Sequence, residues 1–304
     1  MPETLFHKAP DIAVVISTTR VKSLLEISLP SVFSQNLPPS IVYIISDSID
    51  GLPIDSISKL NARQIPTKTL INVREKNLSG AMNTTFSEML SDGLDPTKTF
   101  IAVLDDDDWW ETDYLQSCYD AALVSGSDWI ITGIIRHENT SEYGKYLTIP
   151  DFLTEKLFLR GNPHIQGSNL FVRLSTILLA GGYDENLPTT TDRDLCLRLL
   201  ALGDIKIKTL KLHLVHHLAY GTGRLSEKGS DKKCLGLKRF YYKYRTFMDE
   251  NDIKFFISRA RETFGCDPES LPKIPEKDNK MVLFGNPTKV LISIVIGVIV
   301  SEQS

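Results

Sequence analysis

An α/β fold around a largely parallel sheet is the architecture this sequence predicts, on three observations. Apolar runs of strand length alternate with segments of helical period through the first half of the chain, the pattern of repeated βαβ units. The strand-like runs are apolar throughout rather than alternating, as strands covered on both faces must be. Polar and acidic residues collect immediately after those runs, at the carboxyl ends where α/β sheets place their ligands.

The elements follow in order. Ile12 to Ser17 (IAVVIS) is the first buried strand, and Val21, Leu24, Leu25, Ser28, Leu29 and Val32 then recur at helical spacing, with Pro30 marking a kink. Strands are expected at Ile41 to Ser46, Thr69 to Val73, Phe100 to Leu104 and Trp129 to Ile135. Helices are expected around Met82, Phe86, Met89 and Leu90, and around Tyr114, Leu115, Cys118, Ala121 and Ala122. Further on, Ile165 to Val172 reads as a strand. Leu174 to Ala180 and Asp192 to Leu202 read as helices stopped by Gly181-Gly182 and Gly203. From Asp231 to about Phe264 the chain is expected to be helical, with cations and aromatics interleaved in LKRFYYKYRTF. Such a stretch can bind single strands of nucleic acid, but an amphipathic helix with packed aromatics and solvated cations is the preferred reading. Pro268, Pro272 and Pro275 mark a linker, and Val290 to Val300 reads as a buried strand too short to span a bilayer. The expected division is 1–230 for the α/β domain that carries the candidate site and 231–287 for a helical extension and linker. The remaining 288–304 is an apolar tail that could open a further domain.

Composition narrows the classes of function. With 304 residues, 42% apolar and 24% charged, the chain suits an ordinary globular domain rather than a disordered or fibrous protein. A net charge of -4 supplies no global basic field, so nucleic acid is not an expected partner. Cys118, Cys196, Cys234 and Cys266 lie far apart without metal-type spacing, and the expectation is reduced, buried thiols. The first residues lack a signal-peptide pattern and no transmembrane span is apparent, so the expected location is the cytoplasm.

Two acidic constellations carry the chemistry. Asp105-Asp106-Asp107-Asp108 follows the buried strand FIAVL directly. Four adjacent carboxylates repel one another, and a hard divalent cation such as Mn²⁺ or Mg²⁺ bridging them to substrate phosphates would compensate the charge. The alternative is a solvated acidic turn capping the following helix. Asp192 and Asp194 stand at the start of a helix whose dipole favours the ionised form, so one can act as a general base while the other caps. His213, His216 and His217 lie on an apolar stretch, where adjacent histidines on a strand point to opposite faces. One of the pair His216 and His217 could add a metal ligand. Gly221 to Ser226 half-matches a dinucleotide fingerprint without its strand-then-helix context and is set aside.

Taken in order, VVISTTR, YIISDS, KNLSGAMN, FIAVLDDDDWW, QGSNLFVR, GGYDENL and TDRDLCLRL resemble the family 2 glycosyltransferases of GT-A fold, over roughly Ile12 to Ser226. The resemblance implies a non-processive, inverting and metal-dependent transferase. It would move one sugar from a nucleotide-diphospho donor, expected to be UDP-linked, to a hydroxyl of a glycan, lipid-linked or protein acceptor. It implies that Thr18 and Arg20 touch the nucleotide, that Asp47 bonds the base, and that Asn77, Ser79, Gly80 and Asn83 form the loop closing over it. Asp105 and Asp107 match the Asp-x-Asp motif, with Asp107 the metal ligand and Asp106 near the ribose; Asp192 matches the base, and His216 or His217 the downstream metal-site histidine. Met82 and Thr191 depart from the family's arginine and glutamate at those places, which bears on the donor more than on the reaction. A sugar-phosphate nucleotidylyltransferase and a non-catalytic carbohydrate- or protein-binding domain are the alternatives. The absence of a glycine in STTR weighs against the first, and the retained Asp107 and Asp192 against the second.

Overall fold

The protein, described by a computed structural model, is defined over residues 11–48, 52–140, 143–220 and 228–269. Nine strands are present among them: β1 (Ile12–Thr18), β2 (Ile41–Ser46), β3 (Thr67–Ile71), β4 (Phe100–Asp105), β5 (Trp109–Trp110), β6 (Trp129–His137), β7 (Lys145–Leu147), β8 (Leu170–Arg173) and β9 (Ile207–Leu218). The helices are α1 (Val21–Ser23), α2 (Leu29–Phe33), α3 (Ile54–Leu60), α4 (Leu78–Ser91), α5 (Tyr114–Ser125), α6 (Glu155–Arg160), α7 (Leu174–Leu179), α8 (Thr191–Leu200), α9 (Asp231–Tyr244) and α10 (Glu250–Phe264).

The strands form one sheet in the order β3-β2-β1-β4-β8-β6-β9-β5, with β7 on β6. β3, β2, β1 and β4 are mutually parallel, so their carboxyl ends share one rim. β8 enters antiparallel between β4 and β6, while β6 and β9 are again parallel. The α/β class expected from the alternating pattern is the one observed.

Burial explains why β1 is central. Ile12, Val14 and Ile16 point into one apolar layer with Leu24, Leu29 and Leu115, while Ala13 and Val15 point into the other with Met82, Phe86 and Leu195. A strand sandwiched in this way must be apolar at every position, which is why IAVVIS shows no alternation. The second layer also takes in Leu237, Phe240, Tyr241 and Tyr244 of α9, and Phe256 and Ile257 of α10. The basic-aromatic stretch is therefore an amphipathic helix with its rings in the core. Residues 231–264 form two helices rather than one: a 3₁₀ turn at Arg245–Phe247 ends the first, and Asp249 opens the second with a capping box.

Local departures from the sequence reading have local causes. Between α1 and α2 the backbone winds as a π-helix over Leu24–Ser28, directly before and into the turn disturbed by Pro30, which has no N–H and crowds the preceding turn. The expected strand Ile165 to Val172 is a 3₁₀ turn at Gly167–Asn169 followed by β8, because Gln166 and Asn169 close a capping box on each other's backbone. The short helices α3 and α6 carried no clear periodic signal.

The cysteine expectation is corrected. Cys234 and Cys266 form a disulfide with Cα atoms 5.3 Å apart, tying the first turn of α9 to the residue beyond the Gly265 cap of α10. Cys118 and Cys196 are buried thiols as expected. Among the described residues no helix is long and apolar enough to cross a membrane. The N-terminal ten residues, the segment Gly221 to Ser226, Pro272, Pro275 and the tail after Pro287 lie outside the described residues.

Candidate active site

The rim formed by β1, β2, β3 and β4 collects most of the residues singled out in the sequence. Register sets Ser17 beside Asp105 and Thr18 beside Ser46, so the turn after β1 meets the aspartate run after β4.

Within that run alternate residues do different work. Asp106 is buried, and its carboxylate accepts from the Thr18 hydroxyl (2.8 Å), from the backbone N–H groups of Thr19 (3.2 Å) and Arg20 (3.1 Å), and from Arg20 Nε (3.0 Å). Asp108, wholly buried, accepts from Ser168 Oγ (2.6 Å), Gln166 Nε2 (3.3 Å), His217 Nδ1 (3.0 Å) and the Leu218 N–H (3.0 Å). These two carboxylates are braces: one fixes the β1 turn, the other joins the Gln166–Asn169 turn to the end of β9. Asp105 and Asp107 are the pair left facing the rim. Burial pushes the Asp107 carboxyl upward, reinforced by Asp108 and opposed by an ion pair with Arg20 at 2.6 Å. Burial, then Asp108 and Asp192, push Asp105 well above the usual carboxylate range, and among the described residues its carboxyl oxygens accept no hydrogen bond. Two oxygen-donor side chains whose ionised forms are disfavoured by burial and by neighbouring carboxylates are what a hard divalent cation would compensate. Among the described residues, however, no group of three His, Cys, Asp or Glu side chains is gathered as a metal site, so further ligands would have to come from substrate.

His216 and His217 point to opposite faces of β9, as adjacent strand residues must. His217 turns toward Asp108. His216 turns away, with Nε2 2.7 Å from Glu111 Oε1 and Nδ1 2.9 Å from His137 Nε2, and its ring stacks on Trp109 at 4.6 Å.

The expected nucleotide loop lies at the start of α4. Asn77 caps that helix by accepting from the Gly80 N–H at 2.9 Å, while its amide donates to the Glu185 carbonyl. Gly80 has no alternative in this setting: a Cβ there would lie 2.0 Å from the Glu75 carbonyl oxygen. Asn83 donates to the Tyr183 carbonyl and the Glu185 carboxylate and accepts from the Tyr183 N–H, so it pins the GGYDE turn. Ser79 is buried with its hydroxyl unpartnered among the described residues. Asp47 accepts from the Asn72 amide at 2.7 Å. Asn72, which no sequence signal marked, links that aspartate to the Glu75 carbonyl.

Asp192 and Asp194 have opposite surroundings. Asp194 is wholly buried and meets Arg198 (2.7 Å), Lys243 (2.5 Å) and the Tyr244 hydroxyl (2.7 Å). Burial pushes its carboxyl up, but Arg198 and Lys243 outweigh that and hold it below the ordinary range. It is a buried ion-pair hub joining α8 to α9, a larger task than the helix cap expected of it. Asp192 has no ion pair among the described residues, and its Oδ1 is buried without a hydrogen-bond partner. Burial raises its pKa to about 6, opposed by Lys233 and by the Gly167 N–H. Asp105 and Asp192 meet over Gly167. A Cβ on that glycine would lie 3.6 Å from Asp105 Oδ1 and 4.0 Å from Asp192 Oδ1, so the two carboxyls line one small space that Gly167 leaves open.

Comparison with known proteins places this geometry. TarS from S. aureus (residues 1–349) in complex with UDP-GlcNAc superposes with a TM-score of 0.60 at 12% identity, covering 88% of this chain and 77% of that one. A second crystal structure of the same TarS fragment gives 0.59 at 12% identity over the same shares. The mannosyltransferase PcManGT from Pyrobaculum calidifontis, in complex with GDP-Man and Mn²⁺, gives 0.55 at 13% identity, covering 84% of this chain and 70% of that one. These likenesses establish the GT-A fold. No curated protein sequence matches significantly. The profile of the family described as glycosyl transferase family 2 matches residues 13–177, more than half of the chain, and spans β1, the aspartate run and β8. The protein is a glycosyltransferase and belongs to glycosyl transferase family 2.

Proposed function

We propose that the enzyme transfers a single sugar from a nucleotide-diphospho donor to an acceptor hydroxyl with inversion, using Asp192 as the base and Asp105 and Asp107 to hold a divalent metal. The observation that carries this reading is the state of Asp192: a carboxyl with a pKa near 6, one oxygen buried and unpartnered, beside the aspartate run. A base poised close to neutrality, with an oxygen that accepts no hydrogen bond among the described residues, is what removal of a hydroxyl proton requires. As the acceptor oxygen bonds to the anomeric carbon, its proton passes to Asp192 and the carbon-oxygen bond to the diphosphate breaks. A divalent ion at Asp107, Mn²⁺ or Mg²⁺, would supply charge neutralisation to the departing diphosphate. Arg20, held by Asp106 and Asp107, stands at the same turn with a guanidinium that can meet phosphate oxygens. Thr18, Asp47, Asn77, Ser79, Gly80, Asn83 and Asp106 are proposed to shape the nucleotide side of the rim, several of them by bracing it. The role of metal ligand proposed for His217 rests on its bond to Asp108, while His216 is placed to orient Trp109 and His137.

The donor is proposed to be UDP-linked. Both ligand-bound relatives hold nucleotide sugars, UDP-GlcNAc in one and GDP-Man in the other, which supports the class of donor and makes the base the point to test. A panel of UDP-, GDP-, ADP- and dTDP-sugars with and without Mn²⁺, read by release of nucleoside diphosphate, tests the reading. A donor that is cleaved only with metal supports it; binding of nucleotide sugars without release by any acceptor or water would instead favour a binding domain. The cytoplasmic location expected from the N-terminal sequence is tested by alkylation of Cys234 and Cys266 in protein taken from cells, since reducing compartments rarely keep disulfides.

A further inference from the structure

Most buried or half-buried cations in this chain are neutralised by carboxylates. Arg20 meets Asp106 and Asp107, Arg198 and Lys243 meet Asp194, and Arg160 meets Asp252. One group on the α6–α10 side of Asp192 is not. Lys233, on the first turn of α9, places Nζ 4.6 Å from the centre of the Phe264 ring and makes no ion pair or ammonium hydrogen bond among the described residues. Its backbone is held in place by the neighbouring Cys234–Cys266 disulfide and by the Ser230 cap. Arg193, one residue past Asp192, is buried. It gives its hydrogen bonds to the carbonyls of Phe158 and Leu159 and lies over the Phe240 ring at 4.3 Å, without a carboxylate among the described residues. Arg259 on α10 is exposed, sets its guanidinium carbon 3.7 Å from where a Cβ of Gly161 would be, and likewise makes no ion pair among the described residues.

These cations act on one another. Burial, then Arg193, lower Lys233 to about 8, with Arg259 adding to the effect and Asp192 alone opposing it. Burial and Arg259 lower Arg193 to about 9. Burial, followed by Arg136, Lys145 and Arg259, also lowers the nearby His164. Three neighbouring cations, of which Lys233 alone acts on a carboxylate, Asp192, cost folding free energy unless an anion completes the set in use.

We propose that Lys233 and Arg259, backed by the buried charge of Arg193, form a subsite beside Asp192 for a phosphate group carried by the acceptor, so that the acceptor is a phosphorylated glycan or alcohol rather than a neutral one. This rests on Asp192 marking the acceptor side of the cleft. Lys233 supplies a point charge near the base, and Arg259 a planar fork suited to phosphate oxygens at the open edge over Gly161. Its neighbourhood to Asp192 would set the distance between the anionic group and the hydroxyl that reacts.

The test is calorimetric titration of the full chain with inorganic phosphate and with glycerol 1-phosphate, in chelator and without donor. Arg20→Ala is included so that phosphate bound at the donor side is recognised. Lys233→Gln and Arg259→Gln should each weaken binding roughly tenfold, the loss expected of one charge-assisted contact, and Asp192→Asn should strengthen it. Lys233→Arg, which keeps the charge, should retain most of the affinity and guards against a folding defect in the glutamine variant. If phosphate binds equally well to the Lys233→Gln/Arg259→Gln double variant, or is lost only with Arg20→Ala, the proposal is overturned. A second arm separates acceptor from donor. The double variant should leave the dissociation constant for UDP unchanged; a comparable loss of UDP affinity would assign the cations to the donor diphosphate instead. Neither arm needs turnover, so an inactive Asp192 variant speaks to the base and not to this subsite.

Discussion

Asp192 and Asp194 sit two residues apart on the first turn of α8, yet one carboxyl is raised to about 6 with a bare oxygen and the other is held below the ordinary range by Arg198, Lys243 and Tyr244. The helix dipole acts on both, so it cannot be what separates them. The difference comes from the cations around them: Arg198 of α8 and Lys243 of α9 close ion pairs on Asp194, whereas Lys233 of α9 acts on Asp192 without forming one.

Replacing each by asparagine should therefore give two distinct losses. Asp192→Asn is expected to lower transfer by roughly a hundredfold or more while donor affinity stays within a few-fold, because only proton removal is lost. Asp194→Asn should leave Arg198 without its paired carboxylate and Lys243 with Asp184 alone, and cost about 3 kcal/mol of stability, the scale of a broken buried ion pair. Thermal melts and single-substrate kinetics on both proteins check this; equal kinetic losses at unchanged stability would remove Asp192 from the role of base.

The same carboxyl predicts pH dependence of two kinds. The base works ionised, so kcat/KM should fall about tenfold per pH unit below about 6, and this limb should vanish in Asp192→Asn. Stability runs the other way. A carboxyl whose pKa is higher folded than unfolded favours the folded state only while it is protonated, so that contribution is lost as pH rises from about 4 through about 6. Asp192→Asn should thus match the wild type near pH 4 and exceed it above pH 6, by at most about 3 kcal/mol, less for its partial exposure. Denaturant midpoints in chelator across that range decide the sign.

How much of this was legible in the sequence depends on which forces wrote each feature. β1, β2 and β4 were readable because strands covered on both faces must be apolar, and the rim followed because parallel strands end together. Asp107 and Asp192 could be singled out as candidates through their neighbours in sequence. The split of the aspartate run into braces and free carboxyls was not, since Thr18, Ser168 and His217 reach Asp106 and Asp108 across gaps of 60 to 109 positions. The ion-pair hub at Asp194 was hidden for the same reason: Arg198 is one turn away on α8, but Lys243 and Tyr244 lie on a helix about 50 positions on. The disulfide lacked any local signal, because the 32-residue separation of its cysteines reflects how α9 and α10 fold back on each other.

Asp107→Ala should abolish metal-dependent donor binding and reduce transfer by several orders of magnitude, since it removes an oxygen donor and one partner of Arg20 together. Asp106→Ala provides the contrast. It removes the acceptor of the Thr18–Arg20 turn and should destabilise the fold as well as weaken donor binding. Calorimetry with UDP at varied Mn²⁺ separates them. An Asp107→Ala protein whose UDP affinity still rises with Mn²⁺ would move the metal away from this residue.

Reduction of the disulfide tests whether α9 and α10 support the site from a distance. The bond joins cysteines 32 positions apart, so removing it should cost about 4 kcal/mol by the chain-entropy argument. For a domain of this size that lowers the melting temperature by several degrees. The site should respond as well, because Cys234 neighbours Lys233 and lies on the helix whose Lys243 and Tyr244 hold Asp194. Cys234→Ser is therefore expected to raise the acceptor KM while donor binding, proposed to lie at β1, β4 and α4, stays as it was. The double variant Cys234→Ser/Cys266→Ser must behave like the single one, which separates loss of the bond from exposure of a free thiol. If both variants melt at the wild-type temperature, the two cysteines are not bonded in solution, and α9 is held by its buried rings alone.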